Sequence, residues 1–284
     1  MKKVVVLFLT LVFSSAFLAP TLAIGSTVQK IDFEDDGFVA HYYAQSPESL
    51  KQPIIVLGGS EGGIPTRLAQ VIADNGFPTL AVAYFKEESL PDELEKIPLE
   101  YFEKAKNWLR HKHPEYNNLT LVGWSKGAEL SLLLASQDTV FNRVIAIAPS
   151  SVVWAGILKD WQKTPGSSWT REQQALPFVQ FNPSGAVNGL LDLYSQSLAN
   201  RQDGGKATIK TENIQGNVVL YSGGKDEIWP SNLMAEKVCE RMKRNKLSTC
   251  EHVNYQALSH LLDYKFLDKS EQPYQTFVSS LESN

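Results

Sequence analysis

The chain has 284 residues, 43% of them hydrophobic and 20% charged, with a formal net charge of -4. That balance fits one large packed domain and excludes a disordered chain. The absence of any long basic block argues against nucleic acid as a partner. Five scattered histidines and two cysteines offer no metal-ligand spacing, so neither metal nor cofactor is expected.

Lys2 and Lys3 precede an apolar run from Val4 to Phe13, and small residues close the segment at Thr21-Leu22-Ala23. This pattern predicts a secretory signal peptide over residues 1–23, leaving 24–284 as a single exported domain, periplasmic or secreted. An uncleaved anchor is the alternative, and it alone would give the chain a membrane partner.

Lys30 to Ala44 reads as two short strands around the acidic turn Glu34-Asp35-Asp36-Gly37. Ile54 to Leu57 is a continuous apolar run of the kind buried on both faces of a sheet. It leads into Gly58-Gly59-Ser60-Glu61-Gly62-Gly63, four glycines in six residues. A phosphate-cradling loop would need Gly-Lys-Ser/Thr or a G-x-G-x-x-G helix entrance, and neither follows. Backbone N–H groups with no side chain in the way suit an oxyanion hole, with Ser60 or Glu61 as donor.

A helix follows, with Pro65 near its start and Gly76 past its end. Thr79 to Tyr84 reads as another buried strand, and Leu99 to Leu109 as an amphipathic helix with Phe102, Ala105, Trp108 and Leu109 on its apolar face. Leu119 to Val122 then runs into Gly123-Trp124-Ser125-Lys126-Gly127, and Ala128 to Ala135 has helix-forming composition. Strand, sharp turn and helix around G-x-S-x-G make Ser125 a candidate nucleophile: the glycines let strand and helix pass closely while the serine occupies a strained apex. Val144 to Ala148 is the next strand. This alternation predicts a mostly parallel, doubly wound α/β sheet.

Residues 151 to about 213 break the rhythm and carry Trp154, Trp161 and Trp169. A connection of that length is expected to be structured, as a cap of short helices over the site or as a surface excursion packed on the core. The pattern resumes with a strand at Asn217 to Tyr221, a loop containing Asp226 and Glu227, and a helix from Ser231 to about Arg244, with Ser231 as its cap. Thr249 to Tyr255 is the last strand, Gln256 to His260 a loop, and Pro273 to Leu281 the final helix. Cys239 and Cys250 form a disulfide or stay as two buried thiols. The acceptor pattern Asn118-Leu119-Thr120 enters a buried strand and is attributed to chance.

A serine hydroxyl needs a base, and the base needs a carboxylate to orient it. His41, His111, His113 and His252 fall on a hairpin, a helix end and a strand, whereas His260 lies in the loop after the last strand. Asp226 follows Gly223-Gly224 in the preceding strand's loop. The order Ser125, Asp226, His260 is that of α/β-hydrolases and differs from those of chymotrypsin-like and subtilisin-like proteases. The backbone N–H of Lys126 would share the oxyanion with the glycine loop.

Gly58-Gly59-Ser60-Glu61-Gly62-Gly63, Gly123-Trp124-Ser125-Lys126-Gly127-Ala128-Glu129-Leu130, Ile145-Ala146-Ile147-Ala148-Pro149-Ser150 and Asp226-Glu227-Ile228-Trp229-Pro230-Ser231 resemble the catalytic domain of acyl-CoA thioester hydrolases and bile acid-CoA:amino acid N-acyltransferases. The resemblance spans roughly residues 50 to 265. It implies an α/β-hydrolase fold, a small-molecule acyl thioester or ester as substrate, and Asp226 and His260 as partners of Ser125. That family uses Ser or Cys as nucleophile, and Ser125 resembles the thioesterase type. Better-known members carry an amino-terminal β-sandwich, for which residues 24 to 50 are too short. Three functions follow as expectations: a serine acyl hydrolase, an acyltransferase to an amine, and an inert hydrolase fold acting as a binding module.

Overall fold

The computed structural model describes residues 27–45, 50–244 and 246–282. The segment read as a signal peptide, 1–23, lies outside the described residues. Among those described, no helix is long and apolar enough to cross a membrane.

In chain order the strands are β1 (Thr27–Ile31), β2 (Val39–Ala44), β3 (Ile54–Leu57), β4 (Thr79–Ala83), β5 (Ile97–Pro98), β6 (Leu119–Trp124), β7 (Phe141–Ile147), β8 (Trp169–Arg171), β9 (Gln174–Ala175), β10 (Asn217–Gly223) and β11 (Thr249–Tyr255). The helices are α1 (Phe33–Asp36), α2 (Thr66–Asp74), α3 (Glu100–Lys112), α4 (Lys126–Ala135), α5 (Leu190–Ala199), α6 (Ser231–Met242) and α7 (Gln272–Glu282). Eight strands form the main sheet in the order β1-β2-β4-β3-β6-β7-β10-β11. The β1–β2 and β2–β4 pairs are antiparallel, and every later pair is parallel.

Alternation within the apolar runs explains the layering. Ile55, Leu57 and Leu121 join one buried cluster with Phe102, Leu109 and Leu130 of α3 and α4. Their neighbours Ile54, Val56 and Val122 join the opposite cluster with Leu68 and Ile72 of α2 and with Phe277 of α7. Period-two side chains on a sheet covered on both sides leave no polar face, so β3 reads as four apolar residues in a row. Each such buried aliphatic contributes roughly 1.5–3 kcal/mol.

The turn expected between β1 and β2 is a single helical turn, α1. Asp32 accepts a hydrogen bond from the Asp35 N–H, and Gly37 closes the turn at φ 74°. Aspartate as a cap and glycine in the left-handed region are ordinary helix start and stop signals, compressed here into one turn.

The insertion differs more from expectation. Between residues 151 and 213 it contains one α-helix, α5, and a 3₁₀ turn at Thr211–Asn213. Its remainder is extended chain stitched by bridges: Trp154 to Val179, Ala155 to Ser167 and Val152 to Thr208. Two of its strands, β8 and β9, extend a small sheet that begins at β5, outside the insertion. Pro165, Pro177 and Pro183 interrupt helix formation. Val152, Trp154, Val179, Tyr194 and Leu198 of the insertion form a separate buried cluster with Trp229 and with Met234 of α6.

Candidate active site

Ser125 stands between β6 and α4 with φ 51° and ψ -120°. A non-glycine residue held there costs about 1–3 kcal/mol, which the surrounding packing must sustain. The flanking glycines make the turn sterically possible. A Cβ on Gly123 would collide with the Gly127 carbonyl, and one on Gly127 with the carbonyls of Leu57 and Gly58.

The strand ends bring three sequence-predicted residues together. His260 Nε2 lies 2.9 Å from Ser125 Oγ. Its Nδ1 lies 2.8 and 2.9 Å from the two Asp226 oxygens. All three residues are buried. Asp226 also accepts hydrogen bonds from the N–H groups of Ile228 (2.9 Å) and Trp229 (3.1 Å) and from Ser231 Oγ. These donors fix the orientation of the carboxylate. Ser231 therefore serves the acid and does not cap α6, which starts after Pro230 without a side-chain cap. The neighbouring Glu227 carboxylate accepts instead from the His260 N–H at 3.0 Å. Trp229 meets the His260 ring edge-on at 5.4 Å.

The other histidines lie elsewhere. His252 is on β11 beside Ser222 Oγ, 2.7 Å away, and His113 sits 2.7 Å from Tyr42 Oη. His41 is on β2 and His111 near the end of α3. Among the described residues no group of three or more metal-ligating side chains occurs.

The glycine loop after β3 is latched to the elbow by a contact that sequence reading missed. Glu61 Oε1 accepts from Trp124 Nε1 at 2.6 Å and from the Gly59 N–H at 3.0 Å. Tyr84 Oη donates to the Gly58 carbonyl at 2.5 Å from beneath. Burial pushes the Tyr84 phenol well above its ordinary range, with the negative charges of Glu61 and Glu129 adding to that, so it remains a donor. Lys126 opens α4, where N–H groups have no intrahelical acceptor. Ser60, Glu61, Ser125 and Lys126 line one cavity with His260.

That cavity measures about 680 Å³ and runs under the insertion past Ile157, Phe181, Leu193, Tyr194 and Ile228. Of the three insertion tryptophans, Trp154 and Trp169 are wholly buried, while Trp161 is 85% exposed and lies at the cavity wall. Insertion residues thus line the cavity that holds Ser125 and His260, mostly as extended chain in place of short helices.

Beside the nucleophile is a buried ion pair. Lys126 Nζ contacts both Glu129 oxygens, at 2.9 and 2.7 Å. Burial pushes the Lys126 ammonium down and the Glu129 carboxyl up, while each partner draws the other back toward its charged form. The i, i+3 spacing was the available signal; their buried partners in the insertion gave none.

Cys239 of α6 and Cys250 of β11 are joined by a disulfide, with Cα atoms 5.2 Å apart.

Residues 97–280 match the family described as "BAAT / Acyl-CoA thioester hydrolase C terminal". Mouse acyl-coenzyme A amino acid N-acyltransferase 1 is 32% identical over 213 residues, 74% of this chain and 48% of the relative. Mouse acyl-coenzyme A thioesterase 6 is 30% identical over 215 residues, 74% of this chain and 48% of the relative. The chain therefore spans about half the length of these relatives. Among solved structures, the Pyrococcus furiosus esterase PF2001 superposes with a TM-score of 0.56 at 13% identity, covering 90% of this chain and 91% of that one. Carboxylesterase CesB (YbfK) from Bacillus subtilis superposes with a TM-score of 0.53 at 18% identity, covering 92% and 93%. At such identities the structural likeness shows the fold, that of α/β-hydrolases.

Proposed function

The chain belongs to the BAAT / acyl-CoA thioester hydrolase C-terminal family, and from that membership we propose that it is a serine hydrolase cleaving an acyl thioester or ester through an acyl-Ser125 intermediate. The observation that carries the proposal is the continuous relay from Ser125 Oγ through both ring nitrogens of His260 to Asp226. His260 Nε2 takes the hydroxyl proton as Oγ bonds to the carbonyl carbon. The carbonyl π pair moves onto oxygen, where the N–H groups of Lys126 and of Ser60 or Glu61 stabilise the charge. Collapse expels the thiol or alcohol, which leaves with the proton from His260. Water then repeats the cycle on the acyl-serine, releasing the acid and restoring the hydroxyl. Asp226 keeps Nδ1 protonated throughout and stabilises the imidazolium.

Substrate class rests on the relatives' names and on the cavity. Acyl-coenzyme A thioesters are the substrates those names imply, and the apolar lining of about 680 Å³ suits a long or bulky acyl group. Acyl transfer to an amine is the second reading, because one of these relatives is named an N-acyltransferase. The first steps are shared; only the acceptor differs.

Residence outside the cytoplasm is part of the proposal. The basic and apolar amino terminus supports it, and so does the Cys239–Cys250 bond, since disulfides persist in oxidising compartments. The experiment is turnover of acyl-CoA thioesters and p-nitrophenyl esters of matched chain length, by wild type and Ser125→Ala, with and without an added amino acid. Hydrolysis lost in Ser125→Ala supports the proposal, and amide formation would move it to the acyltransferase. Folded wild type without turnover of either class would overturn both.

A further inference from the structure

The proposed chemistry uses only the backbone N–H of Lys126, yet its side chain and that of Glu129 are 1% and 0% exposed. Moving two ions out of water is costly unless their remaining hydrogen-bonding capacity is also filled. Here that capacity is filled by the insertion. Lys126 Nζ donates to Ser168 Oγ at 2.8 Å, and Ser168 Oγ lies 3.0 Å from the carbonyl oxygens of both Trp154 and Ala155. Glu129 Oε1 accepts from Trp169 Nε1 at 2.7 Å and from the Trp154 N–H at 3.3 Å. The ammonium also lies 5.5 Å from the centre of the Trp169 ring. Each of these partners outside α4 belongs to the insertion.

From Trp154 the contacts continue toward the base. Its ring meets Tyr194 edge-on at 4.7 Å, Tyr194 meets Trp229 at 5.5 Å, and Trp229 meets His260 at 5.4 Å. One end of this chain of contacts is the residue next to the nucleophile; the other end is the imidazole.

We infer that the Lys126–Glu129 pair is a positioning device: it fastens the insertion to the first turn of α4 and thereby sets the elbow and the His260 ring in register. This rests on the serine-hydrolase reading above. Neither side chain touches the reacting atoms. The pair acts through the Lys126 backbone on one side and through Trp154, Tyr194 and Trp229 on the other. Displacements of about 1 Å at such a site cost on the order of 100-fold in rate.

The test compares Glu129→Gln, the double variant Lys126→Met/Glu129→Leu, and Trp169→Phe with wild type. Each is assayed with a p-nitrophenyl ester, the rate divided by the fraction of Ser125 that a fluorophosphonate labels, and its Tm recorded. Glu129→Gln is expected to lose about 10- to 100-fold in kcat with KM changed less than about 3-fold. In the double variant no charge remains buried, so Tm is expected to recover toward wild type while kcat stays at least about 10-fold down. Trp169→Phe keeps the ion pair and the ring but loses the indole N–H; kcat is expected to fall about 3- to 10-fold at unchanged KM. A purely structural pair would give the opposite pattern, with kcat per labelled serine equal to wild type in Glu129→Gln or restored along with Tm in the double variant. Either result overturns the inference, as does unchanged kcat in Trp169→Phe. A wild type that labels and turns over is the reference for all three variants; a folded wild type that does neither defeats the serine-hydrolase reading itself.

Discussion

Gly127→Ala is the smallest change that tests how the elbow is built. An added Cβ would collide with the carbonyl oxygens of Leu57 and Gly58 and stand 2.6 Å from the Leu57 carbonyl carbon. Ordinary contact at a Cβ begins near 3.4 Å and the two carbonyl oxygens stand nearer still, so α4 and the end of β3 must separate by more than about 1 Å. Both obstacles are backbone, and no rotamer can relieve them. Overpacking of this kind costs about 1–3 kcal/mol. The catalytic consequence is larger, because the separation is between the helix that begins at Lys126 and the strand end that carries the glycine loop. The two proposed oxyanion donors sit on opposite sides of the gap, and a shift near 1 Å costs on the order of 100-fold in kcat. The assay is kcat on a p-nitrophenyl ester normalised to fluorophosphonate-reactive Ser125, beside a thermal melt. A folded Gly127→Ala protein with wild-type kcat would show that the close approach of α4 to β3 does not set the oxyanion donors.

Three further outcomes follow from named contacts. Glu61→Ala removes the acceptor for Trp124 Nε1 and the Gly59 N–H; hydrogen bonds to a charged group are worth about 1.5–3 kcal/mol each, so kcat should fall at least about 10-fold, and an unchanged initial rate would show that the loop keeps its shape unaided. Replacing Cys239 and Cys250 by alanine opens a loop with a sequence separation of 11, which by loop entropy removes about 3 kcal/mol and lowers Tm by roughly 6–12 °C; a Tm unchanged in the double variant would contradict this. The hydrogen-bonded Arg201 guanidinium holds the Asp203 carboxyl down at about 2. A folded value below the unfolded one means that the contribution is complete above about pH 4 and is lost as pH falls toward 2. Asp203→Asn should therefore melt lower than wild type at neutral pH, with the gap closing in acid; a constant gap would contradict the assignment.

Much of the sheet was legible because burial on both faces leaves runs such as Ile54 to Leu57 and Val144 to Ala148 with no polar interruption. Ser125, Asp226 and His260 were legible for a related reason: in a parallel sheet, loops after the strands gather at one edge, so position relative to a strand end locates a side chain in space. The insertion was not, because bridges of one to three residues have no period, and its β8 pairs with Ile97–Pro98 far back in the chain. Pair partners across such distances leave no local trace. Glu129 reads as one more helical glutamate until Trp169, 40 residues on, is seen donating to it. Glu61 likewise reads as a loop residue until Trp124 comes to meet it. Ser231 was misread because a serine before a helix has two uses, and here the nearby Asp226 carboxylate takes its hydroxyl in preference to the helix end.

The proposed mechanism stands or falls with Ser125 as the residue that takes the acyl group. Rapid acid quenching during turnover of a slow acyl ester, followed by peptide mass mapping, measures this directly. An acyl mass is expected on the peptide containing Gly123-Trp124-Ser125-Lys126-Gly127, absent in Ser125→Ala and strongly reduced in His260→Ala. Turnover that persists in Ser125→Ala, or an acyl group on any other residue, would contradict the mechanism.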